Sequence, residues 1–130
     1  MEGRVGLILL LDTHALVWAL EDSPRLSAVA RAAIEDTNNT VLASAVSAWE
    51  ISIKKRLGRL DAPDDLADAV DAAGFSKRPI TFADAQRVGS LPDHHRDPFY
   101  RMLVAQALED GAPIVSCDPL VARYQVQIVW

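Results

Sequence analysis

Five consecutive apolar residues, Leu7 to Leu11, end abruptly in Asp12-Thr13 and limit the fold more than any other stretch of the chain. A continuous apolar run of this length is typical of a strand that is covered on both faces, as in parallel sheets flanked by helices. The run is far too short to cross a bilayer. We therefore expect Leu7–Leu11 to form a central parallel strand whose carboxyl end carries Asp12.

Strands and helices alternate along the rest of the chain, separated by cap residues, glycines and prolines. The predicted helices are 13–20, Ser27 to about Asp36, 44–57, Asp64–Ala73, Phe82–Val88 and Pro98–Asp110; the further predicted strands are Thr40–Ala43, a brief one near Pro79-Ile80, Pro113–Ser116 and Val126–Val129. This alternation predicts an α/β fold with a mostly parallel sheet. With 130 residues, the chain is expected to form one domain, 1–130.

The formal net charge of −5 argues against a surface that grips nucleic acid non-specifically. It does not exclude a nuclease, because divalent ions held among carboxylates reverse the local sign of charge. The single cysteine, Cys117, excludes an internal disulfide and is typical of a reducing compartment. No signal-peptide pattern precedes the first strand. We expect a cytoplasmic protein with no membrane segment.

Two aspartates lie at the carboxyl ends of predicted strands, at the edge where open parallel sheets bind ligands. These are Asp12 and Asp118. Either one alone is more often a helix cap or a turn residue than a ligand. Their matched placement favours a shared site, in which the neighbouring Thr13 and Ser116 are candidates for orienting a bound water.

Glu50 has two interpretations that the sequence leaves open. Ser47 and Glu50 have the spacing of a capping box, in which the glutamate only reaches back to a backbone N–H. If Ser44 caps this helix instead, Glu50 is an interior residue with apolar neighbours. A carboxylate in that position needs a partner.

Several carboxylates brought together raise each other's pKa unless a cation lies among them. Oxygen ligands of this kind select a hard ion such as Mg²⁺ or Mn²⁺. Such an ion polarises a phosphodiester and activates a bound water. The residues by themselves therefore suggest an acidic metal site in an α/β domain.

The helix predicted to begin at Pro98 follows a crowd of polar and charged residues. Asp97 before Pro98 is typical of a helix cap followed by proline at the first helical position, which accounts for Asp97 without a catalytic role. Helix N-termini attract anions. Arg96 and Arg101 are therefore candidates for contacting a phosphate or a partner's carboxylate, with simple charge pairing at the helix end as the alternative.

Four ordered blocks of the chain resemble the PIN-domain ribonucleases, and within them the VapC-type toxins of bacterial toxin–antitoxin pairs. The blocks are Leu9–His14; Ser44 with Trp49–Ile51 and Lys54–Leu60; Leu91-Pro92 with His95–Phe99 and Ala105–Ala107; and Ile114–Asp118. The resemblance covers essentially the whole chain and rests on these ordered motifs.

The resemblance implies a three-layer α/β/α sandwich and endonucleolytic cleavage of RNA, dependent on Mg²⁺ or Mn²⁺, that leaves the phosphate on the 5′ side of the cut. It implies that Asp12, Glu50 and Asp118 form the metal site. It also implies a homodimer and a cognate VapB-type antitoxin, whose C-terminal segment lies across the active groove and through which the complex reaches operator DNA. Residues 13–20 are apolar nearly all round, which is compatible with dimerisation.

Tyr100 departs from the family pattern. The family motif usually reads Asp-Pro-Phe-Asp, and its second aspartate supplies the third acid of the metal site, where this chain has Tyr100. A neutral phenol is a poor Mg²⁺ ligand and removes one negative charge. Asp97 is present, but a cap need not point into the site. Whether Tyr100 is natural or introduced stays open.

We therefore expect this chain to be weakly active or inactive on RNA. The alternative is a catalytically dead PIN module whose work is to bind its antitoxin. An aspartate-based phosphatase or phospho-receiver is less consistent with the sequence, because no second aspartate lies two residues after Asp12 and no lysine ends a later strand.

The other candidates have structural interpretations. His14 is expected on a helix surface or interface and the remaining histidines in loops, and zinc-ligand spacing is absent. Nothing near Cys117 would activate it as a nucleophile. The three tryptophans are expected to be core or interface anchors.

Overall fold

The fold is built on a five-stranded, fully parallel sheet. The computed structural model describes residues 6–130, so the first five residues of the predicted domain lie outside it. The strands are β1 (Ile8–Leu11), β2 (Thr40–Ser44), β3 (Ser76–Arg78), β4 (Ile114–Val115) and β5 (Ile128–Val129). They lie in the order β3-β2-β1-β4-β5. The apolar run that suggested a doubly covered strand is the middle strand, which confirms that prediction.

Helices cover both faces of this sheet. They are α1 (Thr13–Leu20), α2 (Ala28–Glu35), α3 (Ala45–Arg56), α4 (Leu66–Ala72), α5 (Phe82–Val88) and α6 (Pro98–Asp110), and a short 3₁₀ helix spans Val121–Arg123. Two apolar cores result, because neighbouring residues of β1 point to opposite faces. Leu9 and Leu11 pack with α1, α2 and α4, whereas Leu10 packs with α6. The predicted α/β/α sandwich is confirmed.

Helix caps place polar and acidic side chains at the carboxyl edge of the sheet. Asp12 follows β1 and caps α1, accepting a hydrogen bond from the Ala15 backbone N–H at 2.7 Å. Ser44 ends β2 and caps α3. Asp97 caps α6, as predicted. This edge of the sheet is therefore where the side chains that follow β1 and β4 meet the starts of α3 and α6.

Two predicted boundaries are wrong. The edge strand lies at Ser76–Arg78 and pairs with Leu42–Ser44, not near Pro79-Ile80. Proline has no backbone N–H to donate to a ladder, so pairing stops before Pro79. Helix α4 begins at Leu66 with Asp65 as its cap, later than the predicted Asp64, because the Asp65 side chain accepts the Asp68 N–H.

A buried polar network joins β3, α5 and α6. The Arg78 guanidinium donates to both carboxylate oxygens of Asp84, each at 2.8 Å, and its Nε donates to Asp110 at 2.8 Å. Gln106 donates from Nε2 to Asp84 and accepts from the Ser44 hydroxyl at 2.5 Å. The network ties the edge strand and α5 to the start of α3.

The partner-facing surface predicted for α1 is smaller than its composition suggests. Ala15, Leu16 and Val17 are buried in the chain's own core. Trp18 is half-buried and lies 5.8 Å from Trp130, ring centroid to ring centroid. Most of the apolar excess of α1 therefore has an internal explanation. Across residues 6–130, every helix is too short or too polar to span a bilayer.

Candidate active site

Asp12 is a nearly completely buried carboxyl group between β1 and α1. Its side chain is 2% exposed and is stabilised by the Ala15 N–H and the Ser116 side chain. Burial raises its pKa above the ordinary value, and the negative charge of Asp118 adds to that rise. These two hydrogen bonds and the nearby His14 lower the pKa, but burial outweighs them. The surroundings of Asp12 therefore do not fully compensate the negative charge of its ionised form.

Glu50 lies in the interior of α3, because Ser44 and not Ser47 caps this helix. That decides between the two interpretations of Glu50 in favour of the buried one: the residue is 1% exposed. Thr13 donates its hydroxyl to one carboxylate oxygen at 2.6 Å, and Lys54 donates to the other at 2.5 Å. Lys54 is one helical turn after Glu50, so the chain supplies a counter-ion for this acid from the same helix.

Asp118 follows β4 and is held by a histidine. His95 accepts the Asp97 backbone N–H at Nδ1, at 3.1 Å, so the ring carries its proton on Nε2. That proton is donated to Asp118 Oδ2 at 2.8 Å. The second oxygen accepts the Leu120 N–H at 2.8 Å. Both oxygens of Asp118 therefore already have donors from the chain.

Tyr100 lies among these acids. It is 3% exposed, and its hydroxyl lies 3.0 Å from His14 Nδ1 and also accepts the His14 backbone N–H at 3.4 Å. Burial raises the pKa of the phenol, and the charges of Asp12, Glu50 and Asp118 raise it further. The three acids that the resemblance selects therefore share one neighbour, and that neighbour is a neutral hydroxyl.

The His14 side chain completes this arrangement from α1. Its ring stacks on Trp18, with 5.4 Å between centroids and 19° between planes. The prediction of a helix-surface residue is correct, since His14 is exposed. The stacked ring presents Nδ1 to Tyr100, so the phenol is fixed by α1 as well as by its own helix.

The Asp97 side chain caps its own helix. One carboxylate oxygen accepts the N–H groups of Phe99 and Tyr100, at 2.8 and 3.3 Å. The capping explanation therefore accounts for the side chain, and Asp97 does not replace the acid missing at position 100.

The two arginines at this end of α6 differ. Arg101 is largely buried and donates to carbonyl oxygens of the loop before α6, including Pro92 and His95, and to the Tyr124 hydroxyl. Through these contacts Arg101 fixes the loop before α6. Arg96 is exposed, and within residues 6–130 its guanidinium forms no ion pair.

The hydroxyl groups of Thr13 and Ser116 form hydrogen bonds with the neighbouring acids. Thr13 donates to Glu50, and its hydroxyl lies 3.0 Å from that of Ser47. Ser116 supports Asp12 and accepts the Asp118 N–H at 3.1 Å. Cys117 is exposed, and desolvation together with the charges of Asp12 and Asp118 raises the pKa of its thiol, which disfavours the reactive thiolate.

The donor set does not fit a divalent ion as it stands. Within the described part of the chain, no three His, Cys, Asp or Glu side chains are arranged to hold a metal. In this structure Lys54 pairs with Glu50, His95 pairs with Asp118, and Tyr100 supplies a phenol where a further acid would be needed. A carboxylate at position 100 would lie in the first turn of α6, where the charges of Asp12, Glu50 and Asp118 already act on Tyr100.

Two site residues were missed by sequence reasoning. Lys54 was not predicted as a site residue, although its spacing of four from Glu50 was a readable signal. His95 was assigned to a loop, which is correct for its backbone but not for its side chain. Its partner Asp118 is 23 residues away, and no local pattern indicates such a pair.

Comparisons with known proteins identify the family of this chain. The family model described as PIN domain matches residues 9–126. Ribonuclease VapC16 from Mycobacterium tuberculosis is 49% identical over 51 residues, which is 36% of this chain and 36% of that protein. The chain thus matches about a third of the length of this curated relative.

A solved structure shares the fold over nearly all of both chains. In the crystal structure of VapBC2 from Rickettsia felis bound to a DNA fragment from the promoter, the matched chain is 14% identical, with a TM-score of 0.69. The similarity covers 94% of this chain and 97% of that one. Identity this low establishes the common architecture and nothing about the site.

Proposed function

This chain belongs to the PIN-domain family, whose model matches nearly its whole length, and we propose that it is the toxin of a VapBC-type toxin–antitoxin pair with a disabled endoribonuclease site. The partial match to Ribonuclease VapC16 supports the RNA substrate class. The shared fold with a chain of a VapBC complex supports an antitoxin as partner.

One observation carries the proposal: the Tyr100 hydroxyl lies among Asp12, Glu50 and Asp118 where an acid would complete a metal site. A Mg²⁺ or Mn²⁺ ion bound among four such acids would polarise the phosphodiester and activate water. The phenol supplies no charge for the ion, and its ring fills the space in which a shorter carboxylate would leave room. We infer that RNA cleavage by this chain is weak or absent.

The remaining parts of the proposal follow from the resemblance to VapC-type toxins. We propose that the toxin forms a homodimer in the cytoplasm and that its antitoxin carries it to operator DNA. Asp12, Glu50 and Asp118 are the proposed metal-site residues, and Thr13 and Ser116 hydrogen-bond to two of these acids.

The test is a comparison of the natural chain with Tyr100→Asp on a structured RNA at saturating Mn²⁺. We expect the substitution to produce cleavage that EDTA abolishes, and Tyr100→Phe to remain inactive because it restores no charge. Circular dichroism establishes that each variant is folded. Equal cleavage rates for the natural chain and Tyr100→Asp would contradict the proposal.

A second candidate function is supported by the internal donors of the acids. Because Lys54 and His95 already satisfy Glu50 and Asp118, the fold does not need a metal, and the chain is suited to work only as a binding module for its antitoxin. In that case Tyr100→Asp stays inactive while the antitoxin still binds. Failure of an antitoxin peptide to co-migrate with the chain on size exclusion would contradict this second function.

A further inference from the structure

An aromatic pair made of exposed Trp49 and partly buried Phe99 joins the two helices that carry Glu50 and Tyr100, and it is not used by the proposed chemistry. Trp49 on α3 is 55% exposed, and its ring meets that of Phe99 on α6 edge to face, with 4.8 Å between centroids and 81° between planes. Apolar side chains of this size are normally buried, and a tryptophan held in place with its ring in solvent suggests a ligand surface.

The pair is connected to the acids on both of its helices. Trp49 directly precedes the buried Glu50, and Phe99 directly precedes Tyr100. The ring contact therefore joins α3 and α6, the two helices that carry Glu50 and Tyr100. A polymer whose phosphodiester reaches the acids would place a neighbouring unit against Trp49.

Positive charge flanks the rings. Arg96 lies three residues before Phe99 and is exposed, and Arg56 lies two helical turns after Trp49 on the same exposed face of α3. In the described part of the chain neither guanidinium forms an ion pair. Lys54 neutralises Glu50 on this helix, which reduces the repulsion that an approaching phosphate would meet.

An aromatic face with unpaired arginines on either side is the combination that binds single-stranded nucleic acid, by base stacking and phosphate contact. We propose that Trp49, supported by Phe99, is a stacking platform for an unpaired base of single-stranded RNA, with Arg96 and Arg56 contacting the flanking phosphates. The platform rests on the proposed function in one respect only, that the acid site faces RNA.

The stripe of exposed apolar residues continues along α3 and provides a matched control. Leu57, the cap residue directly after α3, is 60% exposed, so Leu57→Ala removes exposed apolar surface of a similar kind without removing an aromatic face. Trp49→Phe keeps a ring, whereas Trp49→Ala removes it. All three changes are at exposed positions, so the fold is expected to remain intact.

The experiment measures binding, not cleavage, by fluorescence anisotropy of a short fluorescein-labelled single-stranded RNA of mixed sequence in EDTA. Trp49→Ala should weaken binding by about tenfold, as for the loss of one base stack. Trp49→Phe should retain most of the affinity, and Leu57→Ala should match the natural chain. Arg96→Gln should weaken binding and lower the slope of log affinity against log salt by about one.

Three outcomes would overturn the platform: no binding of single strands by the natural chain at low salt, equal losses for Trp49→Ala and Leu57→Ala, or equal affinity for duplex RNA of the same sequence. If Trp49→Ala leaves RNA affinity unchanged but weakens binding of the antitoxin peptide, the surface belongs to a protein partner and the proposal is wrong. Because cleavage is not measured, failure of Tyr100→Asp to gain activity would leave this result standing.

Discussion

Asp84 and Asp12 are both carboxyl groups buried almost completely, at 0% and 2% exposure, yet their pKa values shift in opposite directions. Burial alone would raise the pKa of Asp84, but hydrogen bonds from Arg78, the Thr81 N–H and Gln106 lower it to about 2. Asp12 has only the Ala15 N–H and Ser116, and burial raises its pKa. Asp84 is hydrogen-bonded to the Arg78 guanidinium, whereas the hydrogen-bond donors of Asp12 are neutral groups.

This contrast separates a structural acid, Asp84, from Asp12, which we propose to be a functional one. A buried carboxylate that serves the fold has its full counter-charge, because an unpaired one destabilises the folded state. Asp12 accepts hydrogen bonds from two neutral groups and has no guanidinium partner. It lies at the edge of the sheet where ligands bind in folds of this kind. Carboxyl groups with pKa values perturbed in this way cluster at functional sites.

The largest expected effect is the loss of the Asp84 counter-ion. Arg78→Ala should reduce the free energy of unfolding by about 3–5 kcal/mol, the usual result of leaving one partner of a buried ion pair alone. Chemical denaturation with urea at neutral pH measures the change. Lys77→Ala is the matched control, because the neighbouring Lys77 pairs with Asp71 at the surface, and such pairs contribute about 0–1 kcal/mol. Similar losses for the two variants would contradict the structural role of the Arg78 network.

The next effect is a dependence of stability on acid pH. The pKa of Asp84 falls from its ordinary 3.8 in the unfolded chain to about 2 in the fold, so the unfolded state binds protons first as pH drops. The stabilisation from Asp84 is complete above pH 4 and is lost toward pH 2, a contribution on the order of 2 kcal/mol.

Urea denaturation between pH 2 and pH 5 tests this sign. The natural chain should lose stability steeply toward pH 2, and Asp84→Asn, less stable at neutral pH, should lose less over that interval. Parallel curves for the two proteins would show that other groups govern acid unfolding.

The smallest effect concerns Asp12. Because asparagine caps helices as well as aspartate does, Asp12→Asn should change the free energy of unfolding by less than about 1 kcal/mol. The folded pKa of Asp12 is raised, so its ionisation opposes folding as pH rises above 3.8. The free energy of unfolding of Asp12→Asn, relative to that of the unsubstituted chain, should therefore be higher at pH 7 than at pH 3.5. If Asp12→Asn lowered the free energy of unfolding as much as Asp84→Asn does, the proposed distinction between the two acids would be wrong.

Local patterns predicted most of the fold, because caps and apolar runs act over a few residues. Asp12, Ser27, Thr81 and Asp97 begin helices as expected. The edge strand was misplaced since its three polar residues carry no apolar signal. Its pairing with β2 is set by tertiary contact.

The candidate site was only partly predictable for the same reason. The positions of Asp12 and Asp118 follow from the ends of parallel strands. The His14 contact of Tyr100 joins residues 86 apart, and the link from Ser44 to Gln106 joins residues 62 apart. Such pairs have no spacing rule, so sequence reasoning identified Tyr100 as the unusual residue but not what fixes it.

The central claim is that Tyr100 is what keeps a divalent ion out of the site. Electron paramagnetic resonance of free Mn²⁺, titrated with the protein, measures ion binding without RNA or activity. We predict no stoichiometric binding by the natural chain or by Tyr100→Phe, stoichiometric binding by Tyr100→Asp, and loss of that binding when Asp12→Asn is added to Tyr100→Asp. Equal Mn²⁺ binding by the natural chain and Tyr100→Asp would contradict the claim.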